Sequence, residues 1–184
     1  DTGNVSNMSF MFSHAKTFNQ PIGGWDVSNV RDMSYMFFRT YDFDQDIAEW
    51  DVSNVTNMKG LFYSVTNFNR DLSMWDVGSV ENMDAMFSHT QSFNGNISSW
   101  DVREVRTMRQ MFYMSFKFNN TINTWDTRNL EDMNRMFMFS QVFNRPLNDL
   151  DTSKVVNMEA LFRNTYDFNQ PLNDWDTSNV ENMD

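Results

Sequence analysis

Trp50-Asp51-Val52-Ser53-Asn54-Val55-Thr56-Asn57-Met58 returns, with small changes, every 25 residues along the chain, and that return decides the architecture. Trp stands at 25, 50, 75, 100, 125 and 175, with Leu150 in the gap, and Asp follows each time. Asp1 opens the same series, so the 184 residues are seven units plus a nine-residue partial one, with no insertion or deletion. A period of 20–50 residues marks an array of stacked coils, each covering its neighbour's apolar face. No linker or break in composition interrupts the series, so residues 1–184 are expected to form a single solenoid domain. Coil positions are counted below from the Asp, so that Asp26 and Asp51 are both position 1.

Positions that repeat an apolar residue in every unit should face the core. Position 25 is Trp and position 2 is Val or Thr, so Trp-Asp-Val alternates in, out, in, the signature of a short strand. Positions 5, 8, 11 and 12 carry Val or Leu, Met, Met or Leu, and Phe, the stripe of a helix of about two turns. Phe at 18 and Ile or Leu at 22 complete the apolar set. The expected fold is therefore α/β: a leucine-rich-repeat-like solenoid of 25-residue coils, each contributing a short parallel β-strand and a short helix. Asn at 19 and Asn, Asp or Thr at 7 suit amide ladders or turn-closing hydrogen bonds.

Ile22-x-x-Trp25-x-Val27 fits the opening of a leucine-rich repeat, followed by Ser28-x-Val30-x-x-Met33-x-x-Met36-Phe37, Phe43 and Ile47. The layout resembles the BspA-like leucine-rich-repeat surface proteins, and within them the mycoplasma-type lipoprotein repeat with its Phe68-Asn69 pair. The resemblance runs the length of the chain. It implies an extracellular or cell-surface protein engaged in adhesion or partner binding, and it brings no catalytic motif. Leu150 for Trp, Asp44 for Asn and the Thr at position 2 of the last strands are its local departures.

Composition narrows the chemistry. With 14 Lys and Arg against 25 Asp and Glu, a net charge of −11 argues against nucleic acid as a partner. No apolar run approaches the length of a membrane-spanning helix. The absence of Cys removes disulfides, thiolate metal sites and a Cys nucleophile. His14 and His89 share coil position 14 but lie three coils apart, about 14–15 Å at strand spacing, too far to share a metal. Paired-carboxylate hydrolysis needs two different environments, whereas every Asp here repeats the same one. No enzyme activity, cofactor or metal is expected.

The Asp series still needs a physical account. At strand spacing, neighbouring carboxylates repel by about 0.9 kcal/mol in water and roughly 3–4 kcal/mol at an effective dielectric of 20. One solution is local: each Asp accepts backbone N–H groups two or three residues on and closes a strand-to-helix bend. The alternative is a line of Ca²⁺ along Asp26, Asp51, Asp76, Asp101, Asp126 and Asp151. The turn is preferred, because the glycine-rich calcium-binding nonapeptide is missing.

Variation is concentrated after the apolar stripe. Positions there read Ser13, His14, Lys16 and Thr17 in the first copy but include Phe38, Tyr63, Tyr113, Met114, Phe116, Met138 and Phe139 later. These seven form the candidate interaction surface, unless the rings turn inward and are core. The expected function is non-enzymatic adhesion or binding of a protein or glycan partner. A second possibility is a structural segment of an extracellular filament or surface layer, self-associating through these aromatic contacts and through solenoid ends that lack caps. Both ends fall in mid-motif, as in a segment of a longer protein. Five N-x-S/T sequons, at Asn4, Asn7, Asn54, Asn96 and Asn119, matter only in a eukaryotic secretory setting.

Overall fold

The computed structural model describes residues 2–184, and it stacks the 25-residue units one upon the next. The helix-plus-strand coil does not occur. Among the described residues there is no helix, and the sheet is reduced to isolated parallel bridges at position 7, from Asn7↔Asp32 through to Asn157↔Asn182. The α/β leucine-rich-repeat expectation is thereby overturned.

A chain of tight turns takes the place of the helix. N–H groups at positions 11, 13 and 15 donate to the carbonyl three residues back, as in Met36→Met33, Phe38→Tyr35 and Thr40→Phe37. N–H groups at positions 8, 10, 12 and 14 instead donate to the next coil, as in Met33→Asn57, Tyr35→Lys59, Phe37→Leu61 and Arg39→Tyr63. Donors thus alternate between the coil's own turn and its neighbour. That alternation requires a left-handed residue at positions 10 and 14 of every complete coil, for instance Tyr35 (φ 55°) and Arg39 (φ 58°). Only Gly60 among these fourteen residues is glycine. Left-handed backbone costs a non-glycine residue about 1–2 kcal/mol, and here it is offset by the inter-coil hydrogen bonds it permits.

A run of three-residue turns also explains why the stripe looked helical. Successive i→i−3 bonds bring positions 5, 8, 11, 12 and 15 to the inside with nearly the spacing of a helix face. The expected strand fails for a different reason. Trp-Asp-Val does alternate in burial, since Trp100 and Val102 are buried, but no backbone bridge forms there among the described residues. The indole holds the coils together instead: Trp100 Nε1 donates to the Leu72 carbonyl at 2.9 Å, and Trp50, Trp75, Trp125 and Trp175 make the equivalent bond.

The core positions are 2, 5, 8, 11, 12, 15, 18, 22 and 25, and in the middle coils all of them are buried. Two phenylalanine files run through it. Phe87 and Phe93 stack within their coil at 3.9 Å between centroids, and each stacks on its equivalents above and below, as Phe87 does on Phe112 at 5.9 Å. Stacked pairs of this kind add about 0.5–1.5 kcal/mol each beyond the area they bury. Position 15 supplies a buried hydroxyl row: Thr40, Ser115 and Thr165 donate to the Phe12, Phe87 and Phe137 carbonyls of the preceding coil. Where Leu150 forgoes the indole bond, Thr127 and Thr152 at position 2 donate to the Asp151 and Asp176 carbonyls, a different inter-coil link.

Candidate functional site

The turns at positions 8–15 set one flank of the stack. Because the left-handed residues turn their N–H groups along the stack, backbone bonds join every pair of coils here. Position 9 adds local links, such as Asp84 accepting the Arg109 N–H and Asn134 donating to Glu159, and the side chains at 13 and 14 make no inter-coil hydrogen bond among the described residues. None of the seven candidate interaction residues is buried, and Phe116 is 37% exposed. The rings are therefore an outer layer and not core.

The structure brings four of them into one file. His14 meets Phe38 at 5.0 Å, Phe38 meets Tyr63 at 5.0 Å, Tyr63 meets His89 at 4.9 Å and His89 meets Tyr113 at 5.0 Å. Tyr113 then meets Phe139 edge-on at 6.0 Å. Met114 and Met138 lie alongside, joined through the backbone at 3.0 Å. Phe116 makes no ring contact with the file. Its N–H donates to the Thr90 carbonyl instead. A second short row at position 10 stacks Phe10 on Tyr35 at 5.1 Å, and Tyr35 meets Phe38 edge-on at 5.7 Å.

His14 and His89 are the ring-file members that sequence reasoning missed, since it weighed them as metal ligands and catalytic bases and read His14 as polar surface. Their shared coil position with Phe139 was the available signal. Phe10 and Tyr35 escaped because position 10 was assigned to a helix. Burial, followed by the charge of Arg39, holds the His89 imidazole below its ordinary value. Burial also pushes the Tyr63 hydroxyl up. Arg39 itself lies over the Phe38 ring at 5.1 Å, a cation–π contact at the surface of the file.

The opposite face, positions 19–25 and 1–4, carries the Asp series. By sequence it holds 15 acidic and 5 basic residues, so nearly all of the net charge sits there. Each described Asp of position 1 accepts the N–H of the residue two on, as in Ser28→Asp26 at 3.1 Å, Ser53→Asp51 at 3.1 Å and Gly78→Asp76 at 3.0 Å. Arg103, Arg128 and Ser153 donate in the same way to Asp101, Asp126 and Asp151. The turn is present, although it joins neither a strand nor a helix. Side-chain hydrogen bonds from Ser28, Arg103, Arg128 and Ser153 hold the Asp26, Asp101, Asp126 and Asp151 carboxyls below the ordinary carboxylate range. Among the described residues, no three His, Asp or Glu side chains are grouped to hold a metal ion.

A depression of about 570 Å³ is lined by Leu161, Phe162, Leu172 and Trp175. These occupy core positions of the seventh coil, so the depression continues the core files and is not a separate site. No helix is long and apolar enough to cross a membrane among the described residues.

A family model described as "Mycoplasma protein of unknown function, DUF285" matches the chain twice, over residues 1–100 and 87–184. No curated protein and no solved structure matches it.

Proposed function

The chain belongs to the Mycoplasma protein family DUF285, a family of repeat proteins, and on that premise we propose that it is a non-enzymatic module, displayed at the cell surface, that binds a protein partner through its aromatic flank. The observation that carries this reading is the file from His14 to Phe139: partly exposed rings in contact along six coils, at positions whose side chains make no inter-coil hydrogen bond among the described residues. Rings at a surface offer large contact area with few rotamers to freeze, which is why aromatic residues dominate the centres of protein interfaces. The acidic face is a poor competitor for this role, because its repeating position-1 carboxylates are already engaged by their own turns.

The test replaces Tyr113, Met114, Phe116 and Phe139 with Ser and compares retention of the purified chain on immobilised extracellular proteins. Retention by the wild type, lost in the variant while its thermal transition stays within a few degrees, is the expected result. Retention that survives the substitutions excludes this flank. Light scattering on the same samples tells partner binding from self-association, the filament alternative.

A further inference from the structure

The position-10 row is interrupted between Tyr35 and Gln110, because coils three and four carry Gly60 and Ala85 there. Tyr35 leans into the first gap, and a Cβ on Gly60 would lie 2.4 Å from its ring carbons. What remains is a notch of about 200 Å³ lined by Tyr35, Tyr63, Lys59, Asp84, Arg109 and Gln110, with Ala85 beside them. That volume is below the roughly 300–1,000 Å³ of drug-sized ligand pockets and suits a single ring.

Its polar groups are unevenly committed. Asp84 Oδ1 accepts the Thr107 hydroxyl at 2.5 Å and the Arg109 N–H at 3.0 Å, which fixes the carboxylate. Asp84 Oδ2 stands 3.8 Å from Lys59 Nζ, an ion pair too long for a hydrogen bond. Arg109 Nε is likewise 3.7 Å from Asp132. The side chains of Lys59, Arg109 and Gln110 make no hydrogen bond among the described residues. By contrast Arg70, Arg103 and Arg128 are held by close carboxylates at 2.5–2.8 Å. Two cations thus face two carboxylates, Asp84 and Asp132, at distances too long for hydrogen bonds, so the charges balance while the Lys59 and Arg109 side-chain donors remain unused among the described residues.

We infer that this notch binds one carboxylate-bearing pyranose ring, a hexuronic acid unit of a glycan. Lys59 and Arg109 meet the ligand's carboxylate, where charge-assisted hydrogen bonds are strongest. Asp84 Oδ2 accepts a ring hydroxyl, the Gln110 amide serves a second, and the Tyr35 and Tyr63 rings take the apolar C–H surface. A dianion is disfavoured by Asp84, and a metal cation by Lys59 and Arg109. The site shares the flank with the protein-binding reading but stands independently of it.

The test is titration of the full chain with D-glucuronate, followed by NMR, with D-glucose and inorganic phosphate as controls. Shifts confined to Tyr63, Ala85, Gln110 and their neighbours are expected. Lys59→Gln with Arg109→Gln should weaken glucuronate at least about tenfold, and D-glucose should bind the wild type weaker by a similar factor. Ala85→Tyr fills the notch with a residue already tolerated at this coil position, as Tyr35 shows, and should abolish binding. Phe139→Ser should leave the sugar titration unchanged, so failure of the protein-binding reading and failure of the notch are separable. Glucose or phosphate binding as tightly as glucuronate, shifts elsewhere, or full affinity in the double variant or in Ala85→Tyr would each overturn the proposal.

Discussion

The two faces of the stack are held together by different chemistry. On the aromatic flank, four backbone donors in each inner coil reach the next, and the side chains at positions 13 and 14, where the ring file runs, add no inter-coil hydrogen bond among the described residues. On the acidic face the join is made largely by side chains. Trp indoles donate to position 22, and the position-19 amide or carboxylate accepts the next coil's N–H, as in Asn119 N–H to Asn94 Oδ1 at 2.9 Å. Asn at position 4 donates to the preceding coil's position 3, as in Asn54→Ser28 at 2.8 Å. The consequence is visible in the repeat itself. The positions that stitch the acidic face, 19, 22, 25 and 1, are nearly uniform, whereas positions 13 and 14 of the zipped flank range from Ser and Arg to Phe and Tyr. Freedom from inter-coil bonding at positions 13 and 14 is what the proposed binding role draws on.

Substitutions can break this contrast in order of size. Trp100→Ala removes a buried ring and an inter-coil bond together and should destabilise by about 3–5 kcal/mol in urea unfolding. Asn94→Ala deprives the Asn119 N–H of its acceptor and should cost about 1–2 kcal/mol. Tyr113→Ser on the flank should cost less than either. A larger loss there would make Tyr113 part of the core.

Acidification should also part the two faces. His89 has its imidazole pKa lowered from 6.5, so its contribution is complete above pH 6.5 and is lost as pH falls through the lower folded value. The Asp26, Asp101, Asp126, Asp151 and Asp176 carboxyls, also lowered, contribute stability that is present above their unfolded value of 3.8 and lost as pH falls through their folded ones. The flank should thus respond first and the acidic face only in strong acid. NMR titration of His89 and of the Asp26, Asp101, Asp126, Asp151 and Asp176 carboxyls reports both steps, and His89→Phe should erase the first alone. The smallest effect is a gain: Ser64→Gly relieves a left-handed residue (φ 58°) and should stabilise by about 1 kcal/mol or less.

The period, the stacking and the inward positions could all be read from the sequence, because a core shared between identical coils demands the same residue at each. The local backbone could not. Positions 10 and 14 are left-handed in every complete coil, yet Phe10, Arg39, Gln110 and Phe139 give no glycine signal for it. The apolar spacing of 5, 8, 11 and 12 is shared by a helix face and a run of three-residue turns, and only the inter-coil hydrogen bonds separate them. Trp-Asp-Val showed strand alternation without strand pairing, since the indole N–H does the work of a ladder. At the candidate site, individual rings were legible but the file was not. His89 completes it between Tyr63 and Tyr113, and the notch depends on small residues at Gly60 and Ala85.

The contrast between a backbone-zipped flank and a side-chain-stitched face is tested most directly by residue-resolved amide hydrogen exchange. The N–H groups of Met108, Gln110, Phe112 and Met114, each bonded to the next coil, should be among the slowest in the molecule. Those of Trp100, Asp101 and Val102 should exchange faster, and replacing the flank rings with Ser should leave the order unchanged. Slowest exchange centred on Trp100–Val102, or protection at Met108–Met114 that collapses with the flank substitutions, would contradict it.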